Sequence, residues 1–232
     1  MEENGKKNRA VNRTLNYKIA VTGIFGALSL VLTFTHLGYI SIGGFISLTI
    51  MHIPAILATI LAGLVPGLGV SLIFGLTSLV QTVMGGAGTN PFFLNPMVSI
   101  VPRLLIPVVT WLVFKAFSLI PKMPRVISGT VASAFGTFAN TFFVMGSIYV
   151  FYGKDLMQGM AGVLSSMGFN VEGLGGIKGF FAILFCTMAT NGLWEIIGAV
   201  VITLAVLSSV YLVGNKKSKL SKMASGKKGG SL

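Results

Sequence analysis

The chain has 232 residues, of which 53% are hydrophobic and 9% are charged, whereas a soluble domain carries about 25% charged residues. This composition excludes a soluble globular domain, a disordered chain and a fibrous repeat, and it predicts an all-α membrane protein with several spans. The net charge of +12 comes mainly from basic residues near both chain ends, without the folded basic domain or interleaved aromatic residues typical of nucleic-acid binding.

The first half of the chain contains three predicted spans. The first runs over residues 17–37, behind a basic tail, and the Gly-rich segment 38–49 that follows is typical of a short hairpin or an extended loop. A long uncharged apolar run comes next and exceeds the length of one span. We predict that Pro66 and its neighbouring glycine break it into two short helices, 52–65 and 67–84.

The second half contains three more predicted spans. The fourth covers residues 97–117 and the fifth covers 126–149. The apolar piece 177–188 is too short to cross a bilayer, so we predict an interfacial or re-entrant segment there. The sixth span covers residues 191–214, and the Lys/Ser/Gly-rich tail 215–232 is predicted to be disordered.

Six spans place both chain ends on the same side of the membrane. Of the 17 basic residues, only Lys154 and Lys178 fall in loops on the opposite side. Because cytoplasmic loops are rich in Lys and Arg, this bias places both termini in the cytoplasm. We therefore predict one six-helix transmembrane domain, residues 17–214, with structured outer loops and two basic cytoplasmic tails, 1–16 and 215–232.

One charged residue lies inside a predicted span. Arg103 is about six residues into the fourth span, roughly 9 Å below its outer end at about 1.5 Å per residue. A charge at that depth costs free energy and marks a functional site by default, and Arg is the best bidentate partner for a carboxylate. The alternatives are a structural pair with Glu195 or a side chain that reaches the outer interface.

Three further polar residues are placed to bind a ligand. Asn191 and Glu195 are four residues apart and share one face of the sixth helix. Asn191 is also suited to cap that helix, and Glu195 to occupy its first turn. Asn140 ends a stripe of small residues in the fifth span, where it can bond either a neighbouring helix or a ligand.

The loop TNPFFLNP lies just above Arg103. Asn90 and Asn95 are candidate polar contacts, while Phe92 and Phe93 are candidate apolar walls of a small-molecule site. The alternative is a rigid Asx-Pro turn with its phenylalanines anchored in the membrane interface.

Gly23 and Ala27 form a small-xxx-small step on the first span, which allows close contact with another helix, inside this chain or in a partner. The sequence contains no Walker-type phosphate loop, no His-Glu-x-x-His and no Gly-x-Ser-x-Gly. One Cys and two His are too few for a structural zinc site. We therefore expect no enzyme activity, no metal and no cofactor.

The chain resembles the substrate-binding S components of energy-coupling factor (ECF) transporters over nearly its whole length. The resemblance rests on LTIMHIPAILATILAGLVPGLGVSLIFGLTSLV, TNPFFLNPMVSIVPRLL, GTFANTFFVMGSIYVFYG and TNGLWEIIGAVVI. It implies a vitamin-binding bundle in the prokaryotic plasma membrane that works with a transmembrane coupling subunit and two ATPase subunits. The residues that it implies for the vitamin site are Asn90, Asn95, Arg103, Asn140, Asn191 and Glu195.

The resemblance also implies a contact with the coupling subunit through an Ala-x-x-x-Ala step on the first span. Here the matching residues are Gly23 and Ala27, so Gly replaces the first Ala. The sequence is most similar to the pantothenate-type members, whose carboxylate would suit Arg103, while riboflavin-type and folate-type members are alternatives. A membrane scaffold or enzyme, and a self-sufficient secondary carrier, are the other function classes.

Overall fold

The chain folds almost entirely into α-helices. The computed structural model describes residues 2–35, 38–42, 46–85, 91–170 and 175–226. The helices are α1 (Glu2–Phe34), α2 (Ile53–Ala62), α3 (Leu64–Val83), α4 (Pro96–Ser99), α5 (Val101–Ser118), α6 (Arg125–Ser166), α7 (Gly176–Thr187) and α8 (Leu193–Gly226). A 3-10 turn, Pro91–Leu94, precedes α4, and a π-helical turn, Met188–Gly192, joins α7 to α8.

The segment after α1 forms an antiparallel hairpin of two short strands. Strand β1 (Tyr39–Ile42) pairs with β2 (Ile46–Thr49), with Tyr39 opposite Thr49. The hairpin is the first of the two alternatives that the Gly-rich sequence offered. Because β2 leads directly to α2, the hairpin carries Thr49 to the end of the bundle where α2 begins.

Within the described part of the chain, five helical segments are long and apolar enough to cross a membrane, as expected of a polytopic helical membrane protein. They are Thr14–Phe34, Leu64–Val83, Pro96–Ser118, Arg125–Ser166 and Gly176–Val213. Helix α2 has only 10 residues, so at about 1.5 Å per residue it spans roughly 15 Å, half of a hydrocarbon core about 30 Å thick.

Helix α2 lies at the centre of the bundle. Every residue from Met51 to Ile60 is buried, and α2 contacts α1, α3, α5, α6 and α8. A helix that is apolar on all sides is stable only when it is surrounded in this way. The short helix therefore serves as the common core against which the longer helices pack.

The break between α2 and α3 lies at Gly63, so the predicted break at Pro66 was wrong. Gly63 has φ of +99°, a left-handed conformation that glycine adopts without steric cost. Pro66 lies in the first turn of α3, where a residue without an N–H group is tolerated because that group would have no helical partner.

The relative directions of the helices follow from individual contacts. Tyr17, near the start of the apolar part of α1 (Thr14–Phe34), donates a hydrogen bond to the carbonyl of Leu61, late in α2, over 3.4 Å. Thr33, near the end of α1, lies 3.9 Å from the sulfur of Met51, just before α2, so these helices are antiparallel. Gln81, late in α3, donates to the carbonyl of Thr33, late in α1, over 3.0 Å. Helices α1 and α3 therefore run parallel, and α2 returns the chain between them.

The second half of the bundle alternates in the same manner. Gly67 of α3 lies against Pro107, and Gly75 lies against Ile100 at the start of α5, so α3 and α5 are antiparallel. Helix α6 packs against both α5 and α8. Gly129, near the start of α6, lies against the Leu207 side chain, which is well along α8.

Helix α6 extends 17 residues beyond the predicted end of the fifth span, from Val150 to Ser166. The helix kinks at Tyr152, where φ is −137° and ψ is 32°. Beyond the kink, Leu156, Met160 and Leu164 are spaced four residues apart and join one apolar cluster, so this segment has a buried face. The predicted fifth span, 126–149, left this segment out, because its glycines and charged residues interrupt the apolar run.

The last two helices form one continuous segment, which corrects two predictions. Residues 177–187 lie in α7 and Met188 begins the π-helical turn, so the segment is neither re-entrant nor separate from the last span. Helix α8 continues to Gly226, so most of the tail that we expected to be disordered is helical. Residues 227–232 lie outside the described part of the chain.

Candidate functional site

A cavity of about 220 Å³ lies where the hairpin meets helices α2, α3, α5, α6 and the π-helical turn. It contains four of the polar residues that the sequence predicted for a ligand site: Arg103, Asn140, Asn191 and Glu195. The other lining residues are Thr49, Met51, His52, Phe74, Phe93, Thr141, Val144, Met145, Thr187 and Gly192. A mostly apolar wall with a few polar groups is the usual composition of a small-molecule site.

Arg103 is held at the cavity by the first turn of α5. Its side chain is only 5% exposed, and Nη1 donates a hydrogen bond to the Val98 carbonyl over 2.6 Å. The guanidinium lies 4.6 Å from the centre of the Phe93 ring and 5.5 Å from that of Phe74. These aromatic faces stabilise the cation without neutralising it, and the side chain lines the cavity.

Glu195 contributes the acidic group of the cavity. It is 7% exposed, and its Oε1 accepts hydrogen bonds from the Thr49 hydroxyl and from the Thr49 backbone N–H, the latter over 3.0 Å. The hydrogen-bond partner of this carboxylate among the described residues is therefore Thr49 of the hairpin. This contact replaces the structural pair with Arg103 that the sequence offered as one alternative.

Two asparagines complete the polar lining. Asn140 lies on α6, and its buried Oδ1 accepts no hydrogen bond from the described residues. Asn191 lies in the π-helical turn, so it does not cap the last helix, because α7 continues through it. π-helical turns inside α-helices occur often at functional sites, and this one directs Asn191, Gly192 and Glu195 to the same cavity.

The loop before α4 contributes differently from the prediction. Asn95 caps α4, because its Oδ1 accepts a hydrogen bond from the Met97 backbone N–H over 3.0 Å. The Phe92 ring stacks on Tyr152 with 5.0 Å between centres. Neither of them lines the cavity, whereas Phe93 does. Asn90 lies outside the described residues.

His52 is a cavity residue that sequence reasoning missed. Its side chain is 1% exposed and its Nε2 lies 3.0 Å from the Thr137 hydroxyl. His52 begins the predicted helix 52–65, and the sequence does not show whether that end of the helix lies at the membrane surface or inside the bundle. Because α2 is short and central, its first residues lie inside the bundle.

The step formed by Gly23 and Ala27 lies on the exposed face of α1. A Cβ atom added to Gly23 would meet nothing within 4 Å among the described atoms. Gly26, by contrast, is buried, and a Cβ there would approach Ile73 of α3 at 2.7 Å. The packing face of α1 is therefore that of Gly26, and the Gly23 face makes no such contact with the described part of the chain.

Acidic and soft ligands do not cluster in this bundle: the searched part of the chain holds no group of three His, Cys, Asp or Glu residues that could bind a metal ion. The side chains that line the cavity offer recognition by hydrogen bonds and charge. One cation, one carboxylate and two amides face a common volume, which suits a small polar organic ligand.

Comparison with known proteins assigns the architecture to a transport family. The family model for the substrate-specific component of ECF transporters matches residues 17–207, a range that includes every lining residue named above. One similar protein is the pantothenic acid transporter PanT of Lactococcus lactis subsp. cremoris (strain MG1363). It is 26% identical over 214 aligned residues, which cover 85% of this chain and 95% of the relative.

Proposed function

Because the chain belongs to the family of substrate-specific components of ECF transporters, we propose that it captures pantothenate outside the cell for delivery across the membrane. The observation that carries the proposal is Arg103, a buried cation at a small cavity whose other walls are mostly apolar or uncharged. The role is that of a transport component that binds its substrate without changing it.

Arg103 favours a ligand with a carboxylate. A guanidinium presents its N–H donors in a planar fork that matches the two oxygens of a carboxylate. A buried charge of this kind is strongly stabilised when an opposite charge enters the same water-poor volume. The relative PanT is named for the transport of pantothenic acid, which carries one carboxylate.

The cavity size favours pantothenate over the larger vitamins. Its volume of about 220 Å³ lies below the range of about 300–1,000 Å³ that is usual for drug-sized ligands. Riboflavin and folate contain about twice as many non-hydrogen atoms as pantothenate, so either would require a larger space. Riboflavin is in addition uncharged at neutral pH and would leave Arg103 without an anionic ligand group.

We further propose six membrane crossings with both termini in the cytoplasm of a prokaryotic cell. The alternating contacts of α1 with α2, and of α3 with α5, support this arrangement, with α2 as a half-length crossing. The concentration of basic residues near the chain ends supports a cytoplasmic position for both. The cavity would then lie toward the outer side, at the end where the hairpin covers the bundle.

The proposed partners are a transmembrane coupling subunit and two ATPase subunits. The unpacked small-residue face of α1 at Gly23 and Ala27 supports a contact with a partner helix, since such steps allow close approach. The sequence has no Walker-type motif of its own, so the proposed ATP hydrolysis belongs to the partners.

The proposal is tested by ligand binding to the purified chain in detergent. We expect stoichiometric binding of radiolabelled pantothenate that unlabelled pantothenate displaces and that equal concentrations of riboflavin or folate leave intact. Native mass spectrometry of the chain after mild purification should show the mass of one pantothenate. Displacement by riboflavin or folate at lower concentrations than pantothenate would assign another vitamin, and absence of any bound vitamin would overturn the proposal.

A further inference from the structure

The contact between Glu195 and Thr49 ties the outer hairpin to the last helix. Thr49 is the final residue of β2, and Glu195 lies one turn beyond the π-helical segment. Both donors of Thr49, its hydroxyl and its backbone N–H, bond to the same oxygen, Oε1 of Glu195. Two donors on one oxygen fix the rotation of the carboxylate, so its second oxygen, Oε2, has a defined position.

This arrangement leaves acceptors for a ligand. The hydrogen bonds that described residues make to Glu195 end at Oε1, and Glu195 lines the cavity. Asn140 contributes a second acceptor, since its buried Oδ1 receives no hydrogen bond from the described residues. A buried acceptor without a donor is destabilising, so Asn140 Oδ1 favours a ligand that brings an N–H or O–H group. Oε2 of Glu195 is a further acceptor on a residue that lines the same cavity.

We propose that Glu195, positioned by Thr49, determines specificity. It selects a ligand that has a hydroxyl donor in addition to one carboxylate, and it rejects a ligand that has a second carboxylate in place of that hydroxyl. This inference rests on the proposed function, in which Arg103 binds the first carboxylate. Pantothenate has one carboxylate and two hydroxyl groups, so its charge matches Arg103 while a hydroxyl donates to Oε2 of Glu195.

The rejection of diacids follows from the charges in the cavity. Arg103 and Glu195 supply one positive and one negative charge to the same lining. A monocarboxylate pairs with the cation, but a second carboxylate would face Glu195 in a site with little water, and like charges there disfavour each other strongly. The acidic group thus excludes anions that size alone would admit.

Glu195→Gln is the most informative substitution because it preserves shape. The two Thr49 donors should hold the amide oxygen of Gln in the place of Oε1, which turns the amide N–H groups toward the cavity. The variant therefore replaces an anionic acceptor by a neutral donor. Thr49→Val removes the hydroxyl that helps to fix Glu195 and keeps the backbone N–H. It should therefore lower the preference for pantothenate over the diacid, but by less than Glu195→Gln does.

Binding is measured for three probes: pantothenate, its analogue without the primary hydroxyl, and its analogue with that hydroxyl oxidised to a carboxylate. Wild-type protein should bind pantothenate at least about tenfold more tightly than either analogue, the effect of one hydrogen bond to a charged group. In Glu195→Gln the preference over the diacid should fall about tenfold or more, and in Thr49→Val about threefold. Thr82→Val is the matched control, because the Thr82 hydroxyl bonds within α3 to the Ser78 carbonyl over 2.9 Å.

The outcomes separate the two proposals. If wild-type protein binds no pantothenate, the proposed function fails and this inference fails with it. If wild-type protein binds pantothenate but folded Glu195→Gln keeps the wild-type preference over the diacid, the inference alone is overturned. A preference that falls in Glu195→Gln and Thr49→Val and persists in Thr82→Val supports it, since a merely structural defect would weaken all three probes equally.

Discussion

Replacing Arg103 by alanine should nearly abolish pantothenate binding. Arg103 is 5% exposed, and its guanidinium lies close to the rings of Phe74 and Phe93. In the alanine variant, little water could therefore reach the ligand carboxylate to replace the lost interaction. Truncating one partner of a buried charge pair costs about 2–5 kcal/mol, which corresponds to a loss of roughly 30-fold to several-thousand-fold in affinity. We expect a loss near the upper part of this range, because the ligand carboxylate would remain in an apolar surrounding.

Two further variants separate the charge from its packing. Arg103→Met keeps a long side chain between the two phenylalanine rings, so it should fold even where the alanine variant does not, and it should lose the same affinity. Arg125→Ala removes the same charge from the exposed first residue of α6 and should bind normally. Isothermal titration calorimetry on each detergent-purified variant measures the dissociation constants, and thermal unfolding checks the fold. Wild-type affinity in folded Arg103→Met would refute Arg103 as the carboxylate partner.

Gly23→Leu and Ala27→Leu should leave pantothenate binding by the isolated chain unchanged, because both residues lie on an exposed face. They should abolish uptake by the complete transporter, because the larger side chains would separate that face from the coupling subunit. Unchanged uptake would show that this face does not contact the coupling subunit. Asn95→Ala removes the hydrogen bond to the Met97 N–H and should cost about 1 kcal/mol, or about 2–4 °C in Tm, with Asn95→Asp as the control that keeps the cap. The chain alone in vesicles, with ATP inside and radiolabelled pantothenate outside, should bind stoichiometrically without accumulation; accumulation would indicate a self-sufficient carrier.

The polar residues of the site could be predicted because each is a charged or amide side chain within or at the end of an apolar span. A charge or an amide inside an apolar span is costly, so Arg103, Asn140, Asn191 and Glu195 were identifiable from the sequence, and the structure brings all four to one cavity. For Asn95 the sequence offered a ligand contact or a rigid Asx-Pro turn. The structure places its side chain on the Met97 N–H, a local bond that caps α4.

The other features of the fold and of the site could not be predicted, because they depend on where the helices end and on contacts between residues distant in sequence. Gly63 ends α2 through its positive φ, but the nearby Pro66 is a stronger local signal and misled the prediction. The shortness of α2 then places His52 inside the bundle. The bond from Thr49 to Glu195 joins residues 146 positions apart, and no local pattern encodes such a pairing.

The exposed face of α1 and the cavity belong to different parts of the bundle. Mutations should therefore separate the proposed contact with the coupling subunit from the proposed binding of the ligand. The described residues that line the cavity include none from α1, and α1 packs against α2 and α3. A displacement of α1 therefore reaches the cavity through those two helices and through Met51, whose sulfur lies 3.9 Å from the Thr33 hydroxyl of α1.

Gly26→Leu tests this route, because a side chain there would collide with Ile73 of α3 and displace the helix that carries Phe74. We expect Gly26→Leu to weaken pantothenate binding and lower Tm in the isolated chain, whereas Gly23→Leu, three residues away on the open face, should change neither. Calorimetry and thermal unfolding of the two variants side by side measure the difference. Equal effects of both would mean that the open face of α1 is not independent of the site, and that binding and coupling cannot be assigned to separate faces of this helix.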